Sequence, residues 1–185
     1  MGFPLDSRES LNRFLADVER RALRMAQFAS RNSDEALDLV QEAMMKFCER
    51  YAVRPEGEWP VLFYRVLQSR IMDWHRRNTV RKRIFGWLGR GHEEEDENDP
   101  IARVADSKTP GPFEKTLQSE AGAAMENAIR SLPLRQRQAF LLRAWEGLDI
   151  AQTAAVMRCS EGTIKTHYSR AVSTLRTLLE DFAHG

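Results

Sequence analysis

Between Ser160 and Ser173 the chain sets out Thr163, Lys165, Thr166, Ser169 and Arg170, a row of hydroxyls and cations beginning at Ser160 itself. These side chains suit DNA: phosphate oxygens take cations and hydroxyls, and base edges take short polar groups. They lie off a face formed by Ile164, Tyr168, Ala171, Leu175, Leu178 and Phe182, which recur at helical spacing. Ser160 has the chemistry of a helix N-cap. Upstream, Asp149 to Met157 reads as a short helix whose Ala151, Ala154 and Ala155 would let the second helix cross closely. The stretch from Asp149 to Arg176 therefore predicts a helix-turn-helix, with its core at about 149–172, that offers the start of its second helix to a major groove. A plain helical hairpin with a solvated face fits the same local pattern.

A second set of candidates lies on a helix expected over about Val61 to Arg83. Arg70, Arg76, Arg77, Arg81, Lys82 and Arg83 cannot all pair with acids nearby, and each phosphate contact would add salt-sensitive affinity. Tyr64 and Trp74, with Trp59 and His75, are aromatics that could stack on unpaired bases. The alternative is a basic solvated helix with Trp74 in the core. A third set is acidic. On a helix from Asp34 to about Val53, capped by Ser33, the side opposite Leu37, Val40, Met44, Phe47 and Tyr51 carries Asp38, Gln41, Glu42, Met45 and Glu49. That face is either solvated or the dock for a basic partner helix.

Helices must position all three sets, and no β pattern occurs along the chain. Leu5 to about Arg31 is amphipathic. The loop from Arg54 to Pro60 holds two prolines and Gly57. A helix from Phe113 to about Arg130 is followed by a turn at Ser131-Leu-Pro. The next helix, Arg135 to Trp145, ends at Gly147, placed as a left-handed cap. Between the halves, Gly86 to Pro112 reads as a flexible acidic linker with an extended acid run from Glu93 to Asp99. The expected fold is all-α: a helical domain over residues 1–85, a linker over 86–112 and a second helical domain over 113–185.

Composition agrees. The 185 residues are 42% hydrophobic and 30% charged, ordinary for a folded chain of one or two small domains. The net charge of +1 hides segregation: residues 61–90 hold eight Lys or Arg against Asp73 alone, and residues 91–120 hold nine acids against three bases. That division suggests one surface for nucleic acid and one segment kept off it, or placed as its mimic. No apolar run approaches membrane-spanning length and no secretory signal opens the chain, so a cytoplasmic protein without membrane insertion is expected. Cys48 and Cys159 support no disulfide framework, and with the four histidines they make no metal-ligand spacing. Gly86 to Gly91 lacks phosphate-loop spacing, and no cluster of nucleophile, base and orienter occurs. No catalytic residue, metal or cofactor is expected, and the chain does not read as an enzyme.

Taken together, the motifs resemble a bacterial RNA polymerase sigma factor of the extracytoplasmic-function (group IV) family over nearly the full length. DEALDLVQEAMMKF (Asp34 to Phe47) is similar to that family's core-polymerase-binding segment. FYRVLQSRIMDWHRRNTVRKR (Phe63 to Arg83) is similar to its −10 recognition segment, and Leu132 to Leu179 to its −35 segment, with LP, EG, GTIK and RA at the family's separations. The resemblance implies a factor that binds core RNA polymerase and directs initiation at promoters carrying −10 and −35 elements. Asp38, Gln41, Glu42 and Met45 would meet the polymerase. Tyr64, Arg70, Trp74, Arg76, Arg77, Arg81, Lys82 and Arg83 would hold −10 DNA, and Ser160, Thr163, Lys165, Thr166, Ser169 and Arg170 the −35 groove. The acidic linker would thread the RNA channel, and an anti-sigma factor is an expected partner. The sequence departs from the family's pattern at Arg158, where a glycine is common, at Gln152 and Thr153, where Glu and Ile are usual, and in the loop RPEGEW (Arg54 to Trp59), which is not the family's commonest version. The competing reading is a stand-alone helix-turn-helix regulator with an N-terminal sensor or dimerisation domain. Such a regulator predicts dimers and palindromic operators, which the asymmetric layout and the basic 61–90 block oppose.

Overall fold

In the computed structural model the backbone is described for residues 5–30, 32–88 and 120–184, and side chains within these at 7–30, 32–81 and 121–180. Every regular element among the described residues is helical: α1 (Leu5–Ser30), α2 (Ser33–Tyr51), α3 (Trp59–Leu88), α4 (Glu120–Ser131), α5 (Leu134–Phe140), α6 (Ile150–Met157) and α7 (Glu161–His184). The acid run from Glu93 to Asp99 and most of the expected linker lie outside the described residues.

The N-terminal half is a three-helix unit in which α2 packs on both α1 and α3. Four rings tie it together. Phe14 lies 5.5 Å from Phe47, 5.5 Å from Trp59 and 5.9 Å from Phe63, between centroids. The Phe14–Phe63 pair meets edge-on at 88° and the other two are tilted; aromatic pairs in such geometries add about 0.5–1.5 kcal/mol each beyond area burial. The cap of α2 is Asn32, not Ser33: its Oδ1 accepts from the backbone N–H of Asp34 at 2.9 Å and Glu35 at 3.0 Å. Both residues can cap, and the amide one position earlier takes the role because its backbone is extended while Ser33 is already helical. Helix α3 runs past Gly86 to Leu88, longer at both ends than its apolar pattern predicts, with Pro60 in its first turn as expected.

In the C-terminal half α7 packs across α5, α6 and α4. Its inward face is Ile164, Ala171 and Leu175, as the spacing predicts, whereas Leu178 is 39% exposed. After α5 the helix widens into a π turn over Leu141–Trp145, with Glu146 N–H donating to Leu141 O at 3.1 Å. Gly147 follows at φ +69°, the left-handed stop that its position predicts. Asp149 and Gln152 form a reciprocal capping box on α6: Gln152 N–H donates to Asp149 Oδ1 at 2.7 Å, and Asp149 N–H to Gln152 Oε1 at 2.9 Å. Ser160 Oγ accepts from Thr163 N–H at 3.1 Å, starting α7. The close crossing of α6 and α7 uses Ala154 and a fully buried Thr153, while Ala151 and Ala155 face solvent. Thr153 satisfies its hydroxyl on Asp149 O at 2.7 Å, so a polar residue is accommodated where Ile is usual.

The two halves share one continuous core. Helix α3 packs on α6, and α1 on α4.

Candidate nucleic-acid and partner-binding surfaces

The row on α7 is presented as its spacing requires. Ser160, Lys165, Thr166, Ser169 and Arg170 are exposed and Thr163 is half-buried. The helix beneath them is held by two caps, a buried crossing and the 16° ring stack of Phe140 on Tyr168, at 6.3 Å between centroids. Thr166 returns its hydroxyl to Gly162 O at 3.0 Å, and Ser160 and Thr163 pair at 2.8 Å, so both are oriented before any ligand arrives. His167, one residue from the row, has its Nδ1 buried without a partner. Burial, then the nearby Arg135 and Arg170, pull its pKa below the ordinary histidine value, which holds the ring neutral beside two cations.

The turn into α7 is made by Arg158 at φ 53°, ψ 51°, its N–H donating to Ala154 O. This left-handed position is where a glycine is common in the family that the sequence resembles, and here an arginine carries the strain.

On α2, Asp38, Gln41, Glu42 and Met45 all face solvent, with Met45 65% exposed and Leu37 beside them at 43%. The surface is thus mixed acid and apolar, which suits a partner helix carrying both cations and hydrocarbon. A groove separates α2 from α3. Asp38 and Glu42 line one wall, and Trp74, Arg77 and Arg81 the other. Acids expected to meet a protein and cations expected to meet DNA therefore share a rim.

The basic set on α3 divides. Arg76, Arg77 and Arg81 are exposed, and Trp74 is half-buried in the groove wall. Arg76 lies 3.9 Å from Asp73, a solvent-exposed pair of little energetic weight. Arg70 reaches Glu42 at 4.0 Å. The side chains of Lys82 and Arg83 lie outside the described residues. Tyr64 does not match its expected place. It is 1% exposed, between Phe63 and the C-terminal half, and its hydroxyl donates to Glu146 Oε2. Burial, with the Glu146 carboxylate second, pushes its pKa well above the ordinary phenol value. As placed, its ring cannot stack on a base. Trp59, the other aromatic expected near bases, is buried too, with Nε1–H donating to Arg54 O at 2.8 Å.

Tyr64 belongs to a constellation that local spacing does not disclose. Glu146 Oε2 also accepts from Arg21 Nε at 3.1 Å. Burial raises the Glu146 pKa, and Tyr64 and Arg21 only partly offset it. Glu126, 8% exposed, accepts from Arg24 at 2.5 Å and Arg130 at 2.8 Å. The same two guanidinium groups lie over the Phe28 ring at 5.5 and 5.4 Å, and Phe28 meets Trp145 edge-on at 5.8 Å. Gln138 Nε2 donates to Gln68 Oε1 at 2.7 Å, both nearly fully buried. Each pair spans the two halves or supports one that does.

No group of three or more potential metal ligands occurs among the described residues, and no helix there is long and apolar enough to cross a membrane.

Known proteins fit this picture. The family described as Sigma-70, region 4 matches residues 123–175, the segment from α4 through the exposed row of α7. The RNA polymerase sigma-E factor of Streptomyces antibioticus is 32% identical over 148 residues, covering 79% of this chain and 71% of that protein. The ECF RNA polymerase sigma factor EcfG of Rhodopseudomonas palustris is 30% identical over 166 residues, covering 83% and 78%. The ECF RNA polymerase sigma factor BldN of Streptomyces coelicolor is 44% identical, but over 72 residues that cover 39% of this chain and 27% of that protein. The sigma factor RpoE of Bartonella quintana, solved with the anti-sigma factor NepR, superposes with a TM-score of 0.64 at 23% identity, over 91% of this chain and 96% of that one. Sequence likeness over most of both chains, an all-helical fold and a region 4 match on the helix-turn-helix lead to one conclusion: the chain belongs to the extracytoplasmic-function family of RNA polymerase sigma factors.

Proposed function

We propose that the chain directs transcription initiation through three surfaces, each with its own partner. The exposed acid and apolar face of α2, with Asp38, Gln41, Glu42 and Met45, docks the core polymerase. Charge complementarity there favours encounter and register. The exposed cations of α3, with Trp74, hold DNA of the −10 element, assigning residues 1–85 to region 2. The row on α7 enters the −35 major groove, with Lys165, Thr166 and Ser169 nearest the bases and Arg170 on phosphate, assigning residues 113–185 to region 4. The acid run from Glu93 to Asp99 lies in the polymerase's RNA path, a placement its charge alone supports. An anti-sigma factor is part of this reading, as it is for the relative solved with NepR.

The observation that supports the reading best is the capped, rigid helix pair that leaves one hydroxyl- and cation-bearing face open, inside the segment matched to region 4. The test is run-off transcription from a genomic fragment library by purified core polymerase, with and without the chain. New, discrete start sites are expected on addition. An unchanged initiation pattern would overturn the proposal.

A further inference from the structure

The chain stops two helices with a left-handed residue and treats them differently. After the π turn the residue is Gly147 at φ +69°, where an added Cβ would meet nothing within 4 Å. Glycine is used there for its backbone alone. In the turn between α6 and α7 the residue is Arg158 at φ 53°, the only non-glycine with positive φ among the described residues. The backbone alone makes this stop: Arg158 N–H donates to Ala154 O, and Cys159 N–H donates to the same oxygen at 3.2 Å. From α5, Arg135 Nη2 donates to Met157 O at 3.5 Å and holds the last turn of α6 from the side. The Arg158 side chain takes no part. It is exposed, and among the described residues its guanidinium makes no ion pair and no hydrogen bond. Glu161, the acid nearest in sequence, is exposed too and does not pair with it.

A strained backbone kept where glycine would serve points to a use for the side chain. The position says which use. In a helix-turn-helix the first helix crosses the DNA backbone and the second enters the major groove. The turn that joins them therefore sits at the edge of the groove, against phosphates. Arg158 comes two residues before the cap Ser160, so their Cα atoms are at most about 7 Å apart. It stands at the N-terminal edge of the row that Ser160 begins, with Arg170 near the other end. An arginine can offer a phosphate two parallel N–H donors, which fixes angle as well as distance.

We infer that Arg158 is a phosphate anchor, which grips the DNA backbone at the lip of the −35 groove and sets the register at which α7 enters it. The inference rests on the proposed placing of α7 in that groove and adds a contact from outside the recognition helix. Arg170 holds phosphate from the helix and Arg158 from the turn, so two fixed points bracket Lys165, Thr166 and Ser169. Phosphate contacts position and base contacts specify. Arg158 is therefore a positioning residue, which acts on sequence choice only through the three side chains it helps to aim. One such contact contributes about 0.9 to the slope of log affinity against log salt. Over the decade from about 1 M to about 0.1 M salt that slope amounts to about eightfold in affinity.

The test uses the full chain on core polymerase and a duplex carrying the −35 region of a start site mapped by run-off transcription. Affinity is measured across a range of salt for the wild type, Arg158→Gly, Arg158→Lys, and Lys165→Ala combined with Arg170→Ala. Arg158→Gly should keep its helix content by circular dichroism, bind about eightfold more weakly at about 0.1 M salt and lose about one from the salt slope. Arg158→Lys keeps the charge and should keep the slope. Each phosphate of the duplex is then replaced in turn by a neutral methylphosphonate. At one position on the edge of the groove the wild type should lose affinity and Arg158→Gly should not, a coupling that a merely structural arginine would not produce. Equal slopes for the wild type and Arg158→Gly, or no such phosphate, overturn the anchor. If the Lys165 and Arg170 double variant binds weakly while Arg158→Gly matches the wild type, the anchor alone fails. If no start site is mapped, or the double variant binds as the wild type does, the placing of α7 fails and the anchor with it.

Discussion

Arg158 and Gly147 make a matched pair from which one substitution can be worked out in full. Both have positive φ, 53° and 69°, and both close a helix. Only one is glycine. A non-glycine residue in the left-handed region costs about 1–2 kcal/mol. Replacing Arg158 with glycine removes that cost but adds about 0.5–1 kcal/mol of unfolded-state entropy. The net expectation is a gain of about 0.5 kcal/mol, or roughly 1–2 °C in melting temperature for a chain of this size. Gly147→Ala runs the other way. A Cβ there meets nothing within 4 Å, so any loss comes from backbone conformation and not from a clash. The entropy gained on replacing glycine recovers only part of the strain, leaving a loss of about 0.5–1 kcal/mol and a drop of roughly 1–4 °C. Calorimetric melting of the wild type, Arg158→Gly, Arg158→Ala and Gly147→Ala separates the terms. Arg158→Ala keeps the Cβ and should leave the melting temperature nearly unchanged. If Arg158→Gly melts at or below Arg158→Ala, the strain is not where the dihedral angle places it and the reasoning fails.

Other expectations follow from the surfaces. Asp38→Lys with Glu42→Lys should abolish co-purification with core polymerase while circular dichroism stays unchanged, and an undiminished pull-down would remove the α2 assignment. Lys165→Ala with Arg170→Ala should weaken −35 duplex binding and lower the slope of log affinity against log salt by up to about two; equal slopes would take both residues off the phosphates. His167 has a folded pKa below its unfolded value, so it contributes stability above the ordinary histidine range that is lost as pH falls through it. Chemical denaturation from pH 7.5 to 5 should show that loss, and His167→Gln should flatten the profile.

The parts of this molecule legible in its sequence are those whose causes are local. Ser160, Gly147 and the face of Ile164, Ala171 and Leu175 are set by neighbours within one or two turns, and the structure places each where its spacing predicts. Asp149 and Gln152 extend the lesson: a residue that departs from the family pattern still closes a capping box, because an amide can return the bond a carboxylate would make. The misplaced cap at Ser33 shows the limit of residue type alone, since Asn32 beside it caps as well. Tyr64 failed for a different reason. Its neighbours on α3 mark it as an aromatic among cations, and only residue 146, far along the chain, makes it an interior group. Gln68, Gln138, Glu126 and Arg24 were missed in the same way. A polar residue at an interface between halves has the same local signature as one in solvent.

The widened turn over Leu141–Trp145 has a consequence for how this chain could be altered. A π turn holds one residue more than the helix it interrupts, and that extra residue sets the rotation at which Trp145 and Glu146 leave the helix toward Phe28 and Tyr64. Deleting a single residue there would restore ordinary winding and swing both side chains through about 100°. Everything from Asp149 onward would keep its own caps and crossing. The contact between the halves and the helix-turn-helix would then be separable by length alone, with no change to the exposed row on α7.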